Sequence, residues 1–480
     1  MFARDFTLRR NERGACRRNT GIMVEKINRI ISCVETNRHI GFSAPIAWVN
    51  SQPLNERSHL NMNIVFFSFP YTGHINPTLG LVAELTSRGH KVEYYAINQF
   101  KGEIENTGAN YREYPVGIID EDVTVNEERR GKDPQNPFSG FAKKVLHQLD
   151  MTEMMTAELL IESASLKPDC IIHDSFCGWG KRIAKLLNVP AVSSITTFAF
   201  DDEIINLDPE NVAKSLFAMT LENFNKTSMK RQLDRFRTTI EKKYKLDQFR
   251  LFDVFINREP LNIVYTSELF QIHSELFDNT FKFVGPSFDF RTENSVFPFE
   301  TLAGKKNIFI SLGTISGDDV GFWKACFHAF CNSDMQVIIS SGNQTNLSLR
   351  SEDVPDNFIV KDYVPQIELL KHIDIFITHG GFNSVNEGLF HHLPLLVFPL
   401  KVDQFLVANQ VERLGAGINL KNSSSNESVN YLELQLAVER LFHDKTYRMK
   451  SRIIGESMKS AGGAKRAADE IIQYIEGLLV

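Results

Sequence analysis

The 480-residue chain has little tryptophan, with 3, and little cysteine, with 6. Cys16, Cys33, Cys170, Cys177, Cys326 and Cys331 include no pair at the C-x-x-C spacing of a zinc or redox site. Cysteines this sparse make no disulfide framework, and they suit reduced thiols in a cytoplasm. No apolar run approaches the roughly 20 residues of a transmembrane helix. There is no basic excess: the net charge is -6 and the pI near 6.1, which argues against a nucleic-acid binder. No G-x-G-x-x-G follows the first predicted strand and no P-loop motif occurs, which argues against a dehydrogenase and a P-loop NTPase. His391-His392 and His173-Asp174 have no partners at zinc spacing, so no metal is expected.

What is present is a globular composition long enough for two domains of about 200 residues each. The first 61 residues stand apart, with ten Lys/Arg against five Asp/Glu in a chain whose net charge is negative. They contain no sustained apolar stretch followed by a small-residue cleavage site, so they do not read as a secretory signal. The expectation is an N-terminal extension that is disordered or a mis-called start, with the true start at Met62.

From Met62 the pattern becomes orderly. Ile64-Val65-Phe66-Phe67 is a continuous apolar run, as in a buried parallel strand. A turn, a helix predicted over 77–88 and a strand over 91–96 complete a β-loop-α-β unit, with Pro77 in the helix's first turn. Strands at 170–172, 191–194, 262–266 and 282–284 continue the first half. Helical insertions at 137–165 and 209–245 are of the kind that cover a cleft. Residues 286–306 lose this regularity and read as a linker. A second α/β series fills 307–462, and an amphipathic helix closes the chain from 463 to 480. The expected fold class is α/β, with two doubly wound sheets whose strand ends face a shared cleft.

Two segments carry chemistry. In THGGFNSVNEGL (378–389) a strand runs through two glycines into a helix. Unpaired first-turn amides make that helix start an anion site, and His379, Asn383 and Ser384 add donors around Gly380 and Gly381. Glu387, one turn further, is placed to accept from ribose hydroxyls. In SFPYTGHINP (68–77), His74 is read as lying between the first strand and its helix, at the cleft. A neutral imidazole there can take a proton from a hydroxyl. Asp174, after the strand at 170–172, reaches the same cleft, where it can fix the tautomer of His74 and stabilise the imidazolium.

Seven motifs occur in order: GHINP (73–77), FVGPS (283–287), SLGT (311–314), YVPQ (363–366), THGGFNS (378–384), DQ (403–404) and LGAG (414–417). With them the chain from Met62 onward resembles the UDP-glycosyltransferase superfamily (glycosyltransferase family 1), in its bacterial macrolide-glycosyltransferase branch. The resemblance implies a GT-B fold, with two Rossmann-like domains facing across a cleft. It implies an acceptor-binding domain at 62–285, a UDP-sugar-binding domain at 307–462 and a last helix that crosses back onto the first domain. It implies that His74 is the general base and Asp174 its partner. Thr314 and His379 would meet the diphosphate beside the amides near Gly381, Asn383 and Ser384. Val364 and Gln366 would read uracil, Glu387 would hold the ribose, and Asp403 with Gln404 would hold sugar hydroxyls. Plant members place a Trp where Val364 stands, and HDSFCGWG around Asp174 matches only loosely.

The expected reaction is inverting O-glucosylation, with UDP-glucose as co-substrate and no cofactor. The acceptors would be small apolar molecules such as flavonoids, phenolics or macrolides, in natural-product biosynthesis or detoxification. Phe198, Phe200, Phe217 and Phe224 are expected in the acceptor pocket. The protein is expected to be a cytoplasmic monomer with neither nucleic-acid nor membrane partners. The alternatives are an NDP-sugar epimerase on the same fold and a non-catalytic helper protein.

Overall fold

The computed structural model describes residues 61–115, 137–217, 219–244, 246, 248–288, 296–313, 320–342, 354–400, 402–420 and 430–478. The extension expected at 1–61 lies, Asn61 apart, outside these residues.

The first sheet has seven parallel strands in the order β3-β2-β1-β4-β5-β6-β7. They are β1 (Asn63–Phe67), β2 (Lys91–Ala96), β3 (Asn110–Glu113), β4 (Cys170–Asp174), β5 (Ala191–Ile195), β6 (Leu261–Val264) and β7 (Phe281–Phe283). β1, β4, β5 and β6 are buried almost throughout, because helices cover both faces of a parallel sheet. The covering helices are α1 (Thr72–Ser87), α2 (Pro137–Ser165) and α3 (Gly178–Leu187), with a further helical insertion between Ile204 and Ile256. The strand order reverses between β1 and β4, so the loops leaving these two strands open a crevice at their carboxyl ends.

One expectation is corrected here. α1 begins at Thr72, five residues before Pro77, so His74 lies inside its first turn and not ahead of it. Proline prefers the first helical position, where its missing N–H costs nothing. At the sixth position it removes one bond of the helix ladder, yet the burial of Ile75, Leu79, Leu81, Val82 and Leu85 holds the helix across it.

The second sheet has six parallel strands in the order β10-β9-β8-β11-β12-β13. They are β8 (Lys306–Ser311), β9 (Met335–Ser340), β10 (Phe358–Lys361), β11 (Ile375–Thr378), β12 (Leu395–Val397) and β13 (Gly417–Asn419). Its helices include α4 (Val320–Phe330), α5 (Gln366–Leu370), α6 (Phe382–Phe390), α7 (Val402–Arg413), α8 (Tyr431–His443) and α9 (Lys445–Ser460). Here the order reverses between β8 and β11, the strands that precede SLGT and HGGFNS. Each domain therefore presents its motif loops at its own switch point.

The last helix, α10 (Gly463–Leu478), packs against α1 of the first domain. Ile471 and Ile475 share a buried cluster with Ile75 and Leu79, and Arg88 pairs with Asp469 at 2.6 Å. The apolar cluster holds the helix, since an exposed ion pair contributes about 0–1 kcal/mol. Ile471 is fully buried. Ile471→Ala should therefore lower stability by about 2–4 kcal/mol, read from urea unfolding. A loss below about 1 kcal/mol would show that α10 is not anchored there.

Candidate functional site

The site begins with two strand ends. β1 and β4 pair in parallel with Phe67 opposite His173, which puts the residues after β1 beside the end of β4. Asp174, the last residue of β4, is fully buried, while His74 keeps a small exposed edge. His74 Nδ1 lies 2.9 Å from Asp174 Oδ2. The other carboxylate oxygen, Oδ1, accepts from the Phe176 amide at 2.8 Å. A carboxylate only accepts hydrogen bonds, so the pairing puts the proton on Nδ1 and leaves the Nε2 lone pair for a substrate.

A third residue, which the motifs did not reveal, completes this arrangement. Thr196, one residue past β5, is buried and has its Oγ1 2.8 Å from His74 Nδ1. The same hydroxyl donates to Asp174 Oδ2 at 3.2 Å. With its one proton directed at the carboxylate, its lone pairs face the Nδ1–H. The hydroxyl thus supports the same tautomer as Asp174. The only sequence signal was its place at the end of a buried strand next to β4.

Aromatic rings surround His74. The ring centroid of Phe176 is 5.0 Å away and edge-on, Phe69 is at 5.3 Å and Tyr71 at 6.3 Å. Phe255 lies behind Phe176 and touches Phe141. The expected pocket residues fall elsewhere. Phe217 and Phe224 are buried against each other, and Phe198 is packed between Phe270 and Phe382. Phe200 is half-buried against Phe252. The core of the helical insertion took up Phe217 and Phe224, whereas Phe198 follows β5 and packs on Phe382 of the second domain, and the rings beside His74 come from the segments after β1 and β4.

His173 and Asp174 are successive strand residues, so their side chains point to opposite faces and cannot share a ligand. His173 bonds to Glu259 at 3.1 Å instead. Among the described residues no group of three or more His, Cys, Asp or Glu could hold a metal ion.

On the second domain, β11 ends at Thr378 and α6 starts at Phe382 with Gly381 as its N-cap. A glycine N-cap has no side chain to occupy the first amides, so they are open to an anion. Gly380 has φ +83°, which favours glycine, and a Cβ on it would come within 2.8 Å of Val397. A Cβ on Gly381 would fall 2.5 Å from the His379 ring, so glycine here is what lets the imidazole lie along the loop.

The other expected donor-site residues come together around α6. Ser384 follows Asn383 in the first turn, and both are half-buried. Glu387, one turn on, is buried and accepts a hydrogen bond from Gln366 Nε2, the first residue of α5. Half-buried Val364 lies two residues before Gln366. Gln404 is buried, with its Oε1 accepting from the Leu400 amide at 2.8 Å, and Asp403 beside it is exposed. Thr314 lies outside the described residues. Between the domains a narrow groove is lined by Asn76, Pro77, Ser287, Phe288, Asn383 and Glu387. Its lining comes from α1 and the segment after β7 on one side and from α6 on the other.

Comparison with known proteins gives this arrangement a family. Residues 325–477 match the model of the erythromycin biosynthesis protein CIII-like C-terminal domain. The uncharacterized UDP-glucosyltransferase YojK of Bacillus subtilis is 34% identical over 417 residues, which is 86% of this chain and 98% of that protein. The chain belongs to the bacterial macrolide-type family 1 glycosyltransferases. The NDP-glycosyltransferase YjiC of the same organism is 32% identical, covering 86% of this chain and 97% of its own length. The solved glycotransferase of kitacinnamycin matches this glycosyltransferase in fold, with a TM-score of 0.67 at 22% identity, over 86% of this chain and 99% of that one. Two parallel-sheet α/β domains in this arrangement are the GT-B fold. No helix among the described residues is long and apolar enough to cross a membrane.

The Thr196 geometry makes a prediction for this enzyme. Thr196→Val should lower kcat for sugar transfer about tenfold, the rate equivalent of roughly 1.4 kcal/mol, and Thr196→Ser should restore it. Steady-state transfer assays decide this, and a valine variant at the wild-type rate would show that Asp174 holds His74 alone.

Proposed function

We propose that this glycosyltransferase moves glucose from UDP-glucose to a hydroxyl of a small, largely apolar acceptor, with inversion at the anomeric carbon. The observation that carries this reading is the His74–Asp174 pair at 2.9 Å, which leaves Nε2 as the base. The acceptor lies among Phe69, Tyr71 and Phe176, and its hydroxyl gives its proton to His74 Nε2. The acceptor oxygen bonds to the anomeric carbon as the bond to UDP breaks, and UDP leaves with the electron pair. The buried carboxylate of Asp174 stabilises the imidazolium that forms.

On the donor side, the diphosphate sits at the first turn of α6, where the amides of Phe382, Asn383 and Ser384 meet charge that grows as UDP departs. Thr314 and His379 add donors. Val364 and Gln366 contact uracil, Glu387 holds the ribose, and Asp403 with Gln404 holds sugar hydroxyls. The Gln366–Glu387 hydrogen bond supports this reading, because it sets the uracil reader and the ribose holder against each other before ligand arrives. This division of labour calls for no cofactor or metal, since UDP is already a good leaving group. A relative named as a UDP-glucosyltransferase supports the donor, and a family model named for erythromycin biosynthesis supports a macrolide-type acceptor, beside which flavonoids and phenolics are the further acceptors proposed. The enzyme works as a cytoplasmic monomer.

The test is turnover of a panel of phenolic, flavonoid and macrolide acceptors with UDP-glucose, followed by mass spectrometry. One added hexose is expected on some acceptors. His74→Ala should reduce that product by about 10²–10⁴-fold while UDP binding, measured by calorimetry, stays within about twofold. A His74→Ala enzyme with near-normal turnover would remove His74 from the mechanism.

A further inference from the structure

The position of Pro77 in α1 has a consequence at the cleft. In an unbroken helix the Gly73 carbonyl would accept from the N–H of residue 77. Proline has no N–H, and its ring crowds that same carbonyl. The Gly73 carbonyl accepts instead from Asn383 Nδ2, at 2.8 Å, from the other domain. Gly73 is the residue before His74, and Asn383 is the second residue of α6. The carbonyl and the side-chain amide that fills it are 310 residues apart.

The contact is one of several along the same turn of α6. The Phe382 ring meets Phe198 edge-on at 5.0 Å. Asn386 Oδ1 accepts from Thr266 Oγ1 at 2.7 Å in a buried bond. Gly73, Phe198 and Thr266 lie in the segments that follow β1, β5 and β6, so this turn spans the carboxyl edge of the first sheet. On α7, Gln410 Nε2 donates to the Phe270 carbonyl at 2.9 Å, also buried. Of these contacts, the one from Asn383 is adjacent in sequence to the base.

We propose that Asn383 caps, across the cleft, the carbonyl that Pro77 frees in the base helix. It is a positioning residue that makes the placement of His74 depend on the donor helix. This rests on the reading of the α6 N-terminus as the diphosphate site. A ligand that fixes the first turn of α6 fixes Asn383, and through the Gly73 carbonyl it fixes the turn that carries His74. The donor thereby orders the base before the acceptor reacts.

Hydrogen exchange of the full-length protein with and without UDP tests this directly, because it does not require turnover. In the wild type, UDP should slow exchange both at the start of α6 and in residues 72–78. In Asn383→Ala, protection should persist at α6 and disappear from residues 72–78. Pro77→Ala tests the same link from the other side, since it returns an N–H that claims the Gly73 carbonyl within α1. That substitution favours the helix, so a loss of rate in it is not unfolding. Each variant should lose about five- to tenfold in kcat, the scale of one hydrogen bond. UDP affinity of Pro77→Ala should stay within about twofold, kcat of Asn383→Ala is read at saturating UDP-sugar, and the double variant should be no slower than the slower single one. Protection of 72–78 that survives in Asn383→Ala, or a Pro77→Ala enzyme at the wild-type rate, overturns the proposal alone. A wild-type protein that binds no UDP overturns the donor-site reading, and the proposal with it.

Discussion

The hydrogen bond from His74 to Asp174 is the constraint around which the first domain is arranged. It requires two residues 100 positions apart to meet at one depth. Adjacent parallel strands in fixed register supply that meeting, with β1 and β4 side by side and Phe67 opposite His173. The buried runs of both strands make the register costly to slip, since a shift of one residue would turn every side chain to the other face. Burial of Asp174 raises the cost of leaving its charge unpaired, and His74, Thr196 and the Phe176 amide meet that need. The same bonds fix the imidazole tautomer, so what stabilises the buried carboxylate also prepares His74 for the role of base proposed for it.

The second domain solves a different problem with the same architecture. Its switch point, between β8 and β11, opens onto a helix start capped by glycine. Bare amides suit a negatively charged leaving group, whereas a lone imidazole suits a hydroxyl proton. The base proposed and the leaving-group site proposed therefore lie on two different sheets. α6 bears on both sides: its first turn carries the amides proposed to meet the diphosphate, and its contacts to the segments after β1, β5 and β6 link the domains.

Much of this was legible in the sequence because it is local. Buried strands appear as runs such as Ile64 to Phe67, and the anion site appears as a glycine pair between a strand and a helix. His74 and Asp174 could be paired on paper because each follows a strand of one doubly wound half. What was not legible depends on distant packing. Thr196 has no motif, and its role follows from the neighbourhood of β4 and β5. The start of α1 was placed too late because Pro77 reads as a first-turn residue, while the apolar face of the helix carries it through. Phe217 and Phe224 look like pocket residues by type, yet a helical insertion needs a core of its own and took them. The Asn383–Gly73 bond joins two motifs that were each recognisable, and nothing in either announces the other.

The most direct test of this account is the steady-state kinetics of Asp174→Asn with an acceptor that the wild type glucosylates. The substitution keeps the shape of the side chain and removes its charge. The account predicts a fall in kcat of about 10²–10⁴-fold, with UDP affinity unchanged, because the imidazolium loses its counter-charge and the tautomer of His74 is no longer imposed. Turnover close to that of the wild type would mean that the buried carboxylate does not act through His74, and the base would have to be sought elsewhere.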